Sequence, residues 1–432
     1  MAKKYLEKTV YAATIERIEQ IFNNFEKIYV SFSGGKDSGI LLNLVLDYVR
    51  KNNIKKKIGV LFIDLEGQYA LTIDYIKQTL HENADIIEPY WCCLPLNLRN
   101  AVSVFEPFWT PWELTQREKW IREYPDYPCI TESNQELPFF KKYMEFEEFV
   151  PEFGKWYSNG QKTACLVGIR ADESLNRFRT IATRYKETLN NLNWTTKIDD
   201  RLYNCYPIFD WTIEDVWVAN AKFGWEYNKL YDLLYKAGIP LTAQRICQPY
   251  GDDQRAGLNL FKIIEPETWA KTVNRVSGAN FGNIYAGNSI MGYRKVKLPK
   301  GHTWKSYTKL LLATLPEDTS NNYRKRFLRF IKYWHRIGCP VSEKDIKNLP
   351  KEAVRLDKMA NRGSKDKQLV IYKRIPDKLD GKYEQKRLAP TWRRMAICIL
   401  KNDQLCKSLS FGQSKKQNLR MKELIEKYRS IK

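Results

Sequence analysis

A chain of 432 residues has material for two or three domains and a real core, and no apolar run in it approaches the roughly 18 residues of a membrane span. Nine cysteines without regular spacing argue against a disulfide framework, and no apolar segment follows the basic start Met1-Ala2-Lys3-Lys4, so a soluble, cytoplasmic protein is expected. The net charge of +22 sits in the last third: residues 281–432 hold 37 Lys+Arg against 13 Asp+Glu, which points to a polyanion such as nucleic acid, or else to a well-solvated Lys-rich helical domain.

Residues 1–26 read as a helix with Ile15, Ile18, Ile21 and Phe22 on one stripe. The run Ile28-Tyr29-Val30-Ser31-Phe32-Ser33-Gly34-Gly35-Lys36-Asp37-Ser38 then reads as strand, tight turn and helix start, with Ile40, Leu41, Leu44, Val45 and Tyr48 continuing the helix. Two adjacent glycines let backbone N–H groups converge without a Cβ in the way, and the following helix adds its positive end. Lys36 brings a cation, Ser33 and Ser38 bring hydroxyls, and the turn is suited to phosphate. It is not a Walker A loop, which needs four residues between its glycines and Gly-Lys-Ser/Thr.

After the basic turn Lys51–Lys57, a second strand is expected at 58–63, a helix at 70–82 and a third strand around 85–88. Such alternation predicts an α/β doubly wound parallel sheet, whose ligands bind outside the carboxyl ends of its strands. Asp64 and Glu66 lie at the tip of the second strand, where they could meet a ribose hydroxyl, an adenine amino group or Mg²⁺; alternatively Asp64 is a helix N-cap. Residues 91–162, rich in Trp, Tyr, Phe and Pro, read as an insertion whose aromatics pack a satellite core more readily than they stack a base. The sheet resumes at 163–169, ending at Gly168 and Arg170. Arg170 is a candidate for bidentate anion binding, reinforced by Arg177, Arg179 and Arg184. Thr212 with Asp215 looks like a capping pair for a helix at 213–223.

The order Ser33–Ser38, Asp64–Tyr69, Gly168–Ser174 and Pro207–Trp217 resembles the phosphoadenosine phosphosulfate (PAPS) reductase-like family of PP-loop ATP pyrophosphatases. Segments 248–258, 275–280, 301–307, 392–395 and 400–407 resemble its IbrA-like branch, bacterial and phage-borne, with a C-terminal domain of unassigned function and often a ParB-like partner, IbrB, encoded beside it. The resemblance implies a PP-loop domain over 1–240, a connecting segment over 241–280 and a basic, mainly helical domain over 281–432. It also implies ATP with Mg²⁺, or an adenosine phosphosulfate-type nucleotide, held by Ser33, Gly34, Gly35, Lys36, Ser38, Asp64, Glu66, Gly168 and Arg170. Lys36, Asp37 and Arg170 are the expected catalytic residues, with Asp37 the expected Mg²⁺ ligand.

One departure bears on the chemistry. The Glu-Cys-Gly-Leu-His segment of true PAPS reductases is absent; Cys406 stands without its neighbours. An iron–sulfur cluster would have to draw on Cys92, Cys129, Cys165 and Cys247 without any Cys-x-x-Cys. In the last third, 323–336 interleaves cations with aromatics. At helical spacing Phe327, Phe330, Ile331 and Trp334 share one face, leaving Arg324, Lys325, Lys332 and Arg336 as candidates for nucleic-acid phosphates. Three readings follow: ATP-dependent nucleotidyl transfer on or alongside nucleic acid; a nucleotide-sensing co-regulator of prophage genes or phage defence; or a sulfonucleotide reductase with an unrecognised thiol.

Overall fold

The computed structural model describes residues 6–103, 106, 108–183, 186–246, 248–251, 258–276, 298–347, 349–359, 367–379, 384, 388–401, 403 and 406–409. The chain divides into two compact units, one of residues 1–100 with 108–279 and the other of 101–107 with 280–432.

The first unit opens with α1 (Val10–Asn24), β1 (Lys27–Ser31), α2 (Lys36–Lys51), β2 (Ile58–Ile63), α3 (Ala70–Glu82) and β3 (Ile87–Cys93). Short strands β4 (Leu98–Arg99), β5 (Phe108–Trp109) and β6 (Ile130–Thr131) precede α4 (Phe146–Ser158) and β7 (Thr163–Val167). Next come α5 (Leu175–Ala182), β8 (Thr195–Asp199), β9 (Leu202–Cys205), α6 (Ile213–Phe223), α7 (Leu230–Lys236), α8 (Leu258–Ile264) and α9 (Pro266–Arg275). Seven strands form one sheet in the order β6-β3-β2-β1-β7-β9-β8, parallel throughout except at the β8 edge. The chain winds outward from β1 to β2 and β3, then returns to β7 on the other side of β1. That reversal opens a crevice beyond the ends of β1 and β7.

Strand alternation assigns the layers. Ile28 and Val30 face the core of α1 and α2 with Ile18, Leu41 and Val45, whereas Tyr29 meets Phe153 and Tyr157 of α4 edge-on. Hence the span read as an insertion is partly sheet and helix: Trp91–Cys93 completes β3, Ile130–Thr131 is the edge strand β6, and Phe146–Ser158 is the crossover helix returning to the sheet. The capping box of Thr212 and Asp215 is present at α6, with Thr212 N–H donating to Asp215 Oδ2 at 2.7 Å. Segment 258–276, read as part of a connector, belongs to the first unit, where Phe261 stacks on Tyr69 at 3.8 Å.

The second unit contains α10 (Trp304–Thr314), α11 (Glu317–Arg336), β10 (Cys339–Ser342), α12 (Glu343–Ile346), β11 (Ala353–Met359), β12 (Lys367–Tyr372) and α13 (Trp392–Leu400). Besides its helices it holds a three-stranded antiparallel sheet, β10-β12-β11, that the sequence reading did not contain. Its core joins Tyr323, Phe327, Phe330 and Trp334 of α11 to Val370, Tyr372, Met395 and Cys398. Two of the segments that carry the resemblance, 301–307 and 392–395, build this unit. Thr303 caps α10 through Ser306 N–H at 3.1 Å, and the Arg394 guanidinium donates to the carbonyls of Ala389 and Leu409.

Candidate functional site

The turn from β1 into α2 is shaped by steric limits. Gly34 has φ +70°, and a Cβ there would stand 2.7 Å from Ile76 Cδ1. A Cβ on Gly168, at the end of β7, would meet the α2 backbone at 2.8 Å, so glycine lets the β7 end close onto the first turn of that helix. Ser33 and Ser38 hydroxyls lie 3.0 Å apart, and Ser38 Oγ also donates to the Gly35 carbonyl. Gly35 is the N-cap of α2 and places no side chain on the helix donors. One of those donors, the Lys36 N–H, reaches the phenol oxygen of Tyr231 at 3.0 Å. Asn228 closes the loop from the other side, donating to the Gly34 carbonyl at 3.0 Å.

A cleft opens beside this turn, lined by Ser33, Lys36, Asp37, Ser38 and Gly168, with Glu173, Arg177, Tyr231 and Arg245 among the facing residues. Lys36 is 7% exposed, and its ammonium lies 3.2 Å from the Gln244 carbonyl and 3.1 Å from Asp37 Oδ2. Arg170 is 3% exposed and forks, Nε to Asp37 Oδ1 and Nη1 to Asp172 Oδ1, each at 2.5 Å. It is thus committed to two carboxylates and is not among the residues lining the cleft; the arginines that line it are Arg177, which pairs with Glu173, and Arg245, which donates to the Glu173 carbonyl. Arg184 lies outside the described residues.

Asp37, read as a Mg²⁺ ligand, has one oxygen on Arg170 and the other on Lys36. Among the described residues no group of three or more His, Cys, Asp or Glu is placed to hold a metal. A carboxylate whose charge is already paired with two cations is a poor fit for a protein-held divalent ion.

The tip of β2 is built differently from its sequence reading. Asp64 and Glu66 are both 0% exposed and absent from the cleft lining. Asp64 accepts from Trp91 Nε1 at 2.8 Å and from the Glu66 N–H, and it pairs with Arg122; it caps no helix. Glu66, at φ +62°, accepts from the N–H groups of Trp112 and Ile121 and takes a bidentate fork from Arg275 at 2.7 and 3.0 Å. Arg275 opens segment 275–280, and Gln248, which opens segment 248–258, ties Trp109 to the Arg99 carbonyl. Both motif heads therefore fasten the irregular segment over β2. Of the predicted set, the structure gathers Ser33, Gly35, Lys36, Asp37, Ser38 and Gly168 at the cleft, with Arg170 behind Asp37, and sets Asp64 and Glu66 apart. Tyr231, Asn228 and Gln244 were missed because each meets the loop across some two hundred residues, and Arg245, which donates to the Glu173 carbonyl beside the cleft, because it sits in no recognisable pattern.

Among the described residues no cysteine lines this cleft. Cys92 of β3 and Cys165 of β7 stand three strand spacings apart, roughly 14 Å, too far to share a cluster. Burial pushes the Cys165 thiol up to about 12, and Cys247 lies outside the described residues. Cys406 is 2% exposed. In the second unit, Arg324, Lys325, Lys332 and Arg336 are all exposed on α11, with Arg324 Nε donating to Ser320 Oγ at 3.2 Å.

Comparison with known proteins matches residues 110–244 to the phosphoadenosine phosphosulfate reductase domain and residues 238–420 to a domain of unknown function, DUF3440. The uncharacterized protein YbdN of Escherichia coli K12 is 36% identical over 418 residues, 96% of this chain and 93% of that one. The uncharacterized protein MJ0066 of Methanocaldococcus jannaschii is 30% identical over 264 residues, 59% of this chain and 43% of that one. Among solved structures, an FMN adenylyltransferase of Candida glabrata in complex with FAD and pyrophosphate aligns at 16% identity over 53% of this chain and 64% of that chain, with a TM-score of 0.29, too low to carry a conclusion. No described helix is long and apolar enough to cross a membrane. Membership carries nucleotide binding with it: the chain belongs to the PAPS reductase-like PP-loop family, joined to a DUF3440 region and sharing nearly its whole length with YbdN.

Proposed function

We propose that the Ser33–Ser38 loop binds ATP and that the protein cleaves it between the α- and β-phosphates, transferring the adenylyl group to an acceptor and releasing pyrophosphate. The observation that carries this reading is the convergence of the glycine turn, the α2 N-terminus and Lys36 on one open cleft at the sheet's crevice. The β,γ-phosphates would sit against the loop N–H groups, with the Lys36 ammonium leaving the Gln244 carbonyl for a phosphate oxygen. Arg177 and Arg245 would face the α-phosphate or an anionic acceptor, the role first read for Arg170. Arg170 would instead position Asp37, and through it Lys36. An acceptor oxygen attacks the α-phosphorus, the bond to the bridging oxygen breaks, and pyrophosphate leaves with the electron pair. Positioning and charge stabilisation are the protein's share. Asp37 is paired with Lys36 and Arg170, so no step is assigned to a protein-held Mg²⁺; the ion would arrive on the nucleotide's phosphates.

The excess positive charge of residues 281–432 supports a nucleic-acid partner alongside the reaction, and the IbrA-like resemblance adds a ParB-like protein partner. A sulfonucleotide reductase is disfavoured by the buried Cys406. The test follows the label of α-³²P ATP and the phosphate released, with and without nucleic acid. Adenylate and pyrophosphate support the reading, ADP and orthophosphate overturn it, and tight binding without cleavage moves the protein to the nucleotide-sensing role.

A further inference from the structure

α11 carries its charge in a pattern more ordered than composition alone requires. At 100° per residue, Lys325, Arg329, Lys332 and Arg336 fall within about 60° of arc, one stripe roughly 16 Å long. The buried side chains of the helix, Tyr323, Phe327, Phe330 and Trp334, lie diametrically opposite. All four stripe residues are exposed and none has an ion-pair or hydrogen-bond partner among the described residues. No acidic residue occurs between Thr319 and Ser342. Arg324, by contrast, points about a quarter turn away and is held by Ser320. A charged helix face that only needed solvation would ordinarily interleave both signs; this one does not.

We infer that the Lys325–Arg329–Lys332–Arg336 stripe is a contact surface for the phosphate backbone of duplex DNA, which rests on the nucleic-acid part of the function proposed above. The charges match a polyanion with phosphates on both flanks of a groove. Tyr323, Phe327, Phe330 and Trp334 are buried and Tyr333 is half-buried against the same core, so the helix offers no row of exposed rings on which single-stranded bases could stack. A B-form major groove about 12 Å wide admits a helix ridge, whereas the A-form groove of duplex RNA is too narrow and deep. Contacts from these cations to phosphates carry no sequence information, so binding through them is expected to show little sequence preference.

The experiment measures binding of the full chain to a labelled DNA duplex by fluorescence anisotropy across a salt series. It compares wild type, the variant K325Q/R329Q/K332Q/R336Q, and the equal-charge control K309Q/K347Q/K351Q/K373Q, all solvent-exposed positions. The expected result is a loss of about tenfold or more in affinity for the stripe variant, with the log–log salt slope flatter by about three to four units, at roughly 0.9 per phosphate contact. The control keeps most of the wild-type affinity. Equal binding by stripe variant and control overturns the assignment while leaving a nucleic-acid role elsewhere. Absence of any duplex binding by wild type at low salt overturns both. Tighter binding of duplex RNA or of an acidic polypeptide than of duplex DNA overturns the choice of partner.

Discussion

The two neighbouring strand ends, after β1 and after β2, look alike in sequence and differ in the folded protein. Each puts a glycine turn and a carboxylate at the tip of a buried parallel strand. After β1, Lys36 and Asp37 border an open cleft. After β2, Asp64 and Glu66 are sealed under Trp112, Arg122 and Arg275 and saturated with donors. What separates them is the segment that arrives later in the chain. Helix α7 braces the first turn through Tyr231 from its edge, while the irregular 108–122 stretch and α9 close over the second. Both tips have their carboxylates paired, so what distinguishes a ligand site is whether the later segments leave the turn and its cation at an open cleft or close over it.

The largest effect that would break this comparison is at Glu66. E66Q strands the Arg275 guanidinium and weakens the bonds that hold a non-glycine residue at φ +62°. Breaking a buried pair in this way costs about 3–5 kcal/mol, read from urea unfolding of the variant. The double variant E66Q/R275M removes both charges and should recover part of that loss; no recovery would mean the fork is not the source. A loss below about 1 kcal/mol for E66Q, as expected of an exposed ligand carboxylate, would return Glu66 to the nucleotide side.

At the β1 tip, effects should fall on function. R170K replaces a fork that spans Asp37 and Asp172 with a point charge, so turnover should fall by roughly tenfold with ATP affinity changed less. Equal losses in both would make Arg170 a direct nucleotide contact. Y231F removes the phenol oxygen from the Lys36 N–H. An ATP affinity within about fivefold of wild type is expected, since a phosphate oxygen takes the same donor. A larger loss would show that Tyr231 itself touches the nucleotide.

The sequence carried the local parts of this picture. Strand 58–63, helix 70–82 and the Thr212–Asp215 cap were legible because periodicity and capping act over a few residues. The β8–β9 edge was not, since its pairing depends on β7, some forty residues back. Nor were the partners of Glu66: Arg275 lies 209 residues away, and nothing at position 66 announces it. The motifs at Gln248 and Arg275 were visible as words, and their structural task emerged only with the fold.

The smallest effects concern thiols. Burial holds the Cys92, Cys93 and Cys165 thiols well above their usual range, whereas Cys129 is partly exposed and lowered first by its hydrogen bond with Cys93. At pH 8 iodoacetamide should therefore label Cys129 in the native protein well before Cys165, as read by peptide mass spectrometry. C406S should leave any ATP-dependent activity near wild type; its complete loss in a folded variant would restore the reductase reading.

The central claim is that the turn after β1, and not the one after β2, holds the nucleotide. Calorimetric titration of ATP into K36A tests it most directly. Losing a charge-assisted phosphate contact should weaken binding by about 2–3 kcal/mol, with the unfolding midpoint close to wild type. Unchanged affinity in a folded K36A protein would contradict the account.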